Sequence, residues 1–460
     1  MSRFRPINRE IDYLLPPSVQ DWLPESHLAR YVVEVVEGLD LSKLESVYAG
    51  RGSAAYHPAM LLSLLIYGYA TGAYSSRKIE RASYDSLAFR FIASDQHPDH
   101  DTLASFRRRH GEQFAATFVQ VLQIARENQV SRFGTVSLDG TKIHANASRH
   151  SALSYAHAEK IEAQLKAEVQ EMLKLAEAAD QSDLPDGVSL PDEIKRREDR
   201  LAAIAEAKTK IEARAKERLE REQAEYQAKL DKREAKEKAN GKKPGGKPPK
   251  PPQVGPRPDD QINLTDEESR IMKVAGGGFE QCYNAQALVD SESMLVMAPH
   301  VTQAGNDKEQ VVPMLAKLQA LPEELNQPEK FLADSGYFSE KNVEACEAAR
   351  IEPLIAVGRD AHHRHWRERF EEPAASSEPT SPVDKMKHRL KTKAGRAAYG
   401  QRKQTVEPVF GIIKSVMGFR QFLLRGLANV QNEWTLVCLA WNLKRMATLR
   451  PHSVLALMEN

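Results

Sequence analysis

The sequence is poor in cysteine and contains no long apolar segment. Its three cysteines, Cys282, Cys346 and Cys438, are far apart and form no paired metal-ligand spacing, which excludes a disulfide scaffold and a zinc finger. The uncharged run 58–74 is interrupted by serine and glycine and is shorter than the ~20 apolar residues of a membrane-spanning helix. Three arginines lie within the first ten residues, but no apolar segment follows them as in a secretory signal. We therefore expect a cytoplasmic protein without a membrane partner, in which 58–74 forms a buried helix.

Acidic residues are almost absent from one part of the C-terminal region. The whole chain is near neutral, with 65 lysines and arginines, 64 acidic residues and a formal charge of +1. Between Lys385 and Arg425, however, eleven basic residues accompany a single acidic one, Glu407, which gives a local charge of about +10. This stretch is named the basic C-terminal segment. Such a concentration of positive charge indicates a polyanionic partner.

The first half of the chain predicts helices on both sides of one short strand. Apolar residues recur at three- and four-residue steps up to about residue 130, which is typical of short packed helices. Within them, the capped segment 101–110 carries Arg107 and Arg108, which indicate either a contact to a phosphate backbone or a solvated helix face. A β-rich run, 133–140, follows and contains Asp139.

The next segments predict a helical insertion and a linker. Residues 153–239 are highly charged, carry a sparse apolar stripe and are interrupted by Leu184, Pro185 and Gly187, so we expect a long antiparallel helical hairpin. Residues 240–261 are rich in proline, glycine and lysine, which predicts a flexible basic linker without ordered structure.

Strand character returns in the second half. Alternating runs at 282–289 and 294–300 predict a β-hairpin, a helix follows at 308–320, and a short apolar strand leads to Asp334. Ser339 then caps a helix, 351–357 predicts another strand, and 395–449 is helical. This order predicts an α/β domain, a mixed sheet flanked by helices, whose sequence is split by the hairpin.

Asp139 and Asp334 each follow a short apolar strand. The carboxyl ends of strands in α/β sheets are where ligands bind, so we expect the two acids to lie at one edge. Adjacent carboxylates repel unless they are protonated or bridged by a cation, and hard divalent ions prefer oxygen ligands. Two such ions ~3.5–4 Å apart activate the attacking oxygen and stabilise the leaving oxygen of a phosphodiester. For either aspartate alone, stabilisation of a turn is the better interpretation.

Glu407 permits two interpretations. Its spacing allows a surface ion pair with Lys403 or Lys414. The apolar residues around it instead indicate a position near a buried face, where it would act as a third acid. Pro408 disfavours helical angles at the preceding residue, which predicts the first helical turn or a kink for Glu407.

Three segments resemble the acidic motifs of DDE-type insertion-sequence transposases. They are Val136–Thr141, Phe331–Tyr337 and Val406–Lys414. The third is the most specific, because related members carry a Tyr, Arg, Glu, Lys signature that Tyr399, Arg402, Glu407 and Lys414 match here. Lys403 stands at the usual distance of the arginine and Arg402 one residue further away, so either side chain is a candidate for that role.

The resemblance also covers the N-terminal region and implies a fold, a reaction and partners. It implies an all-α N-terminal domain over 1–130 for binding DNA ends, a ribonuclease-H-like catalytic domain over 131–152 and 262–450, and the inserted hairpin and linker between them. It further implies two Mg²⁺ ions, or Mn²⁺ in their place, held by Asp139, Asp334 and Glu407. Tyr399, Arg402 and Lys414 would contact double-stranded DNA, with a homodimer acting at the nucleoid of a bacterial cytoplasm.

Three other functions remain open from the sequence. A metal-dependent nuclease without strand transfer would use the same acids, and a joining assay separates it from a transposase. A catalytically inactive DNA-binding relative would retain the basic segment but assemble no metal site. A coiled-coil scaffold would explain only the hairpin and would leave the basic C-terminal segment without a purpose.

Overall fold

A computed structural model describes residues 18–48, 55–177, 189–241, 245–358 and 381–449. The helices in these ranges are α1 (Leu28–Glu37), α2 (Ser42–Glu45), α3 (Pro58–Thr71), α4 (Ser76–Asp85), α5 (Leu87–Ile92), α6 (His100–Arg109), α7 (Gly111–Glu127), α8 (Tyr155–Glu177), α9 (Leu190–Asn240), α10 (Val311–Gln319), α11 (Glu340–Ala348), α12 (Pro382–Lys391), α13 (Lys393–Gly400), α14 (Arg402–Ser415) and α15 (Leu427–Leu449). The strands are β1 (Thr135–His144), β2 (Ala152–Ser154), β3 (Gln261–Asn263), β4 (Arg270–Lys273), β5 (Phe279–Asp290), β6 (Val296–Thr302), β7 (Lys330–Ala333) and β8 (Glu352–Ile355). The interruption of the helical hairpin predicted at 184–187 lies outside the described residues.

Helix α3 is a core helix, as its uncharged sequence predicts. The His57 ring accepts a hydrogen bond from the Ala59 amide at 3.2 Å, and Pro58 occupies the first helical position. Gly72 ends the helix in the left-handed conformation, with φ of 88°. Most side chains between these ends are buried, on every face of the helix. Across the described part of the chain, no helix is both long and apolar enough to cross a membrane.

The main sheet is mixed, with β1 at its centre. Its order is β4-β5-β1-β7-β8, and β6 pairs with β5. β1 is antiparallel to β5 and parallel to β7, which is itself parallel to β8. The predicted strands and the mixed sheet are therefore confirmed, and the arrangement is consistent with a ribonuclease-H-like domain.

The N-terminal helices do not form a compact unit of their own. Met1–Asn146, Met272–Gly278 and Cys282–Asn460 form one compact unit by their contacts, while the domain division expected near residue 130 stays a prediction. The physical reason for the single unit is α15, which is buried on nearly all sides and packs against α3, α7 and β6. Truncating a large buried side chain such as Trp434 in this shared core would cost ~3–5 kcal/mol.

The second compact unit, Ala147–Ile271 with Phe279–Gln281, contains the hairpin formed by α8 and α9. Glu168 pairs with Arg197 at 2.7 Å and Glu162 with Lys208 at 2.8 Å, so residues further along α8 meet residues earlier in α9. The two helices therefore run antiparallel. A small apolar cluster holds them together: Leu153, Ala158, Leu165, Ile204, Ala207, Ile211 and Ile262.

The segment predicted to be a free linker packs along α9 where it is described. Residues 245–258 contain no helix or strand, in agreement with their composition. However, the Arg218 guanidinium donates to Gly255 O at 3.3 Å and to both oxygens of Asp260 at 2.6 and 2.8 Å. Arg257 pairs with Glu222 at 2.9 Å. Gly255, Arg257 and Asp260 therefore contact α9, while the flexibility expected of the linker stays a prediction.

Candidate active site

Asp139 and Asp334 lie side by side at one edge of the main sheet. In the parallel pairing of β1 with β7, Leu138 stands opposite Ala333, so the two aspartates are the next residues on neighbouring strands. The sequence predicts that the strand ends at Asp139, but β1 continues to His144 because it pairs with the longer strand β5. Asp139 is instead the first residue of β1 beyond the pairing with β7. Asp334 begins a short 3-10 turn, and its carboxylate accepts the Gly336 amide at 2.8 Å.

The Asp139 carboxylate is in an electrostatically unfavourable position. Burial raises its pKa to about 6, and the nearby carboxylates of Asp334 and Asp307 add to the rise. A hydrogen bond from the Gly140 amide at 2.8 Å and the charge of Arg402 act in the opposite direction. A carboxylate in such surroundings gains from any additional cation.

Arg402 connects Asp139 with Glu407. Its guanidinium lies 3.5 Å from Asp139 Oδ2 and 3.4 Å from Glu407 Oε1, and only 9% of the residue is exposed. Its Nε atom is buried and has no hydrogen-bond partner among the described residues. Glu407 itself is exposed and lies in the second turn of α14, whose helix continues through Pro408. Glu407 is therefore exposed rather than near a buried face, lies one turn later than predicted, and pairs with Arg402 rather than with Lys403 or Lys414.

The structure places the predicted DNA-contacting residues in different environments. Lys403 and Arg108 are exposed, and Tyr399 is half-buried. Lys414 is also half-buried, and its ammonium donates to the Thr141 hydroxyl and to Lys142 O, the latter at 2.9 Å. Burial lowers the pKa of Lys414. This side chain attaches α14 to β1, and its expected contact to DNA stays a prediction.

Arg107, one of the two arginines of α6 expected to contact a phosphate backbone, is buried in the structure. Its guanidinium is buried, with 7% of the residue exposed, and donates to the Tyr69 hydroxyl at 2.9 Å and to Tyr74 O at 3.0 Å. Leu103, Phe106 and Arg107 share the buried face of α6. Their i, i+3, i+4 spacing is the signal that separates Arg107 from its exposed neighbours.

A fourth acid, Asp307, was not predicted from the sequence. It lies in the loop between β6 and α10, and its Oδ1 accepts from Asn284 Nδ2 and Gln286 Nε2, each at 2.7 Å. The Lys142 ammonium is 3.5 Å away. No strand end or motif marks Asp307, and only the pairing of β1 with β5 brings it close to Asp139.

The donor chemistry of this edge suits a hard divalent ion, because the nearby ligands are carboxylate oxygens. Asp139 and Asp334 are neighbours, whereas Arg402 lies between Asp139 and Glu407. Among the residues that the structure describes, no group of three His, Cys, Asp or Glu side chains is arranged to hold a metal ion. Of the three predicted ligands, Asp139 and Asp334 are the two that lie side by side, and Glu407 is separated from Asp139 by Arg402.

Comparison with known protein families identifies two domains in the chain. Residues 252–443 match a transposase DDE domain, and residues 17–109 match a transposase domain (DUF772). The first match includes Asp334 and Glu407 but not Asp139, which the structure places in the same sheet through β1. Searches of curated proteins and of solved structures gave no significant match. From the two domains we conclude that this chain belongs to the DDE-type transposases of insertion sequences and that its substrate is DNA.

Proposed function

We propose that this transposase hydrolyses phosphodiester bonds at the ends of its element and joins the resulting 3′ ends to target DNA. Asp139, Asp334 and Glu407 would hold two Mg²⁺ ions, or Mn²⁺ in their place. The observation that carries the proposal is the adjacency of Asp139 and Asp334 at the sheet edge, with Glu407 linked to Asp139 through Arg402. A homodimer bound to DNA would bring two element ends together.

The bound ions would supply Lewis-acid activation of the attacking oxygen and charge stabilisation of the leaving oxygen. The residues of the chain supply the rest. Asp139 must be ionised to act as a ligand, although its burial favours the neutral form. Arg402 balances Asp139 and Glu407 through long contacts of 3.5 and 3.4 Å, and its planar donors also suit a phosphate oxygen. We propose that Arg402 transfers from these acids to the DNA backbone.

We expect the full-length protein to nick duplex DNA that carries the element ends and to join those ends to a plasmid. Both products should require Mg²⁺ or Mn²⁺, since the acids alone provide no Lewis acid. Gel analysis of labelled ends measures cleavage and joining separately. Cleavage without joining would identify a nuclease, and binding without either product would identify an inactive relative.

The basic C-terminal segment is the proposed DNA-binding surface. Lys391, Lys393 and Lys403 are exposed, and within the described ranges none of them forms an ion pair. Neutralised phosphates release counterions, so the logarithm of affinity falls with the logarithm of salt by ~0.9 per contact.

We expect Lys403→Gln to reduce the salt slope of duplex binding by about 1, because one phosphate contact is lost. Fluorescence anisotropy at several salt concentrations measures this slope. Lys236→Gln, an exposed lysine of α9, is the matched control and should leave it unchanged. A larger decrease for Lys236→Gln would place the DNA on the hairpin instead.

A further inference from the structure

Gly140, the residue after Asp139, packs against the polar side chains of Asn284, Gln286 and Asp307, which are named the polar cradle. A Cβ atom at Gly140 would lie 2.1 Å from Gln286 Nε2, 2.8 Å from Asp307 Oδ1 and 2.9 Å from Asn284 Oδ1. The backbone of β1 therefore rests on these three side chains, and no larger residue fits without displacing them. Asn284 and Gln286 are fully buried on β5.

The cradle holds the Asp307 carboxylate without neutralising it fully. Two neutral amides, from Asn284 and Gln286, donate to Oδ1 at 2.7 Å each. The only cation paired with it in the described part of the chain is Lys142, at a long distance of 3.5 Å. Its Oδ2 accepts no hydrogen bond from any described residue, and 28% of the side chain is exposed. Asp307 therefore keeps negative charge close to Asp139.

Tyr337 links this cradle to the second acid. Its hydroxyl donates to Gln286 Oε1 at 2.6 Å, and it lies three residues after Asp334 in the turn that follows β7. Burial raises the pKa of Tyr337, and the charges of Asp307, Asp139 and Asp334 add to the rise. The negative charges of all three carboxylates therefore act on this one buried hydroxyl. The chain of hydrogen bonds runs from the turn carrying Asp334 through Gln286 to Asp307.

We propose that Asp307 is a positioning residue of the active site. It increases the affinity of the site for divalent metal ions and does not touch the reacting atoms. The inference rests on the proposed function, since it presumes that Asp139 and Asp334 bind metal. The Asp307 carboxylate, held by hydrogen bonds from Asn284 and Gln286, supplies negative charge that offsets the positive charge of an incoming cation. Its hydrogen bonds also hold β5 and the Asp334 turn at a fixed spacing from β1.

The test measures Mn²⁺ binding to the full-length protein by electron paramagnetic resonance of the free ion, without DNA. Residues outside the ligand set typically change metal affinity by ~10–100-fold, so Asp307→Asn should weaken binding by about tenfold. Raising the Mn²⁺ concentration should restore its cleavage of DNA. Glu309→Gln removes the same charge from an exposed position two residues away and should change neither measurement.

Two further variants separate failure of this inference from failure of the proposed function. If Asp139→Asn and Asp334→Asn bind Mn²⁺ as the wild type does, these acids hold no metal and the proposed function fails. If those variants lose Mn²⁺ but Asp307→Asn binds normally, only the role of Asp307 is wrong. Asparagine keeps an oxygen that accepts both amide hydrogen bonds, so unfolding of Asp307→Asn would also overturn the proposed electrostatic role.

Discussion

Asp139→Asn is expected to reduce DNA cleavage by about 1,000-fold or more while leaving duplex binding almost unchanged. Asparagine keeps the shape of the side chain but removes the charge that would hold metal, and metal activation contributes several kcal/mol to phosphodiester chemistry. The side chain lies next to Asp334 at the sheet edge and outside the basic C-terminal segment. Single-turnover cleavage and anisotropy measure the two properties on the same DNA.

Asp334→Asn and Glu407→Gln should show the same separation of cleavage from binding. The matched control is Asp85→Asn, an exposed aspartate of α4 that pairs with Arg81 at 3.4 Å. Near-normal metal-dependent cutting by any one of the three acid variants would remove that residue from the proposed site. A loss of DNA binding equal to the loss of cleavage would show instead that the acid supports the fold.

The second large effect concerns stability, through a buried acid that the proposed chemistry does not use. Glu433 is 1% exposed and accepts the Tyr69 hydroxyl at 2.8 Å and the amides of Leu423 and Leu424 at 2.9 and 3.0 Å. The buried Arg107 guanidinium donates to the same Tyr69 hydroxyl. We expect Glu433→Ala to lower the free energy of unfolding by ~3–5 kcal/mol, because a buried cation loses its counter-charge and three donors lose their acceptor.

Urea unfolding followed by tryptophan fluorescence measures this loss, since Trp434 is the next residue along α15. Thr448→Ala, at an exposed position of the same helix, is the control and should stay within ~0.5 kcal/mol of the wild type. If Glu433→Ala matched that control, the network joining α3, α6 and α15 would contribute nothing measurable.

The sequence was sufficient for five strands of the main sheet and for the adjacency of Asp139 and Asp334. Strand periodicity is local, and β1, β5, β6, β7 and β8 each contain an alternating or continuous apolar run between turn residues. The apolar strands before Asp139 and Asp334 already placed these acids at one sheet edge, since parallel neighbours share that edge.

The remaining features depend on contacts between residues far apart in the chain. Asp307 lies in an irregular loop, and its approach to Asp139 depends on the register of β1 against β5. Three consecutive arginines look alike in the sequence, and only the phase of α6 buries Arg107 and exposes its neighbours. The position of Arg402 between two acids likewise follows from how α14 packs on β1.

The insertion after β1 has a consequence for synthesis on the ribosome. Asp139 pairs with Ala287 on β5, so 148 residues must be added before the central strand meets its first long partner. At ~5–20 residues per second this takes roughly 7–30 s. During this time the strand that contains Val136 and Leu138 has no partner in the sheet. The hairpin α8 and α9 makes mainly local contacts and can fold in that interval. The strand that carries the first acid is therefore exposed to aggregation during synthesis until β5 has been made.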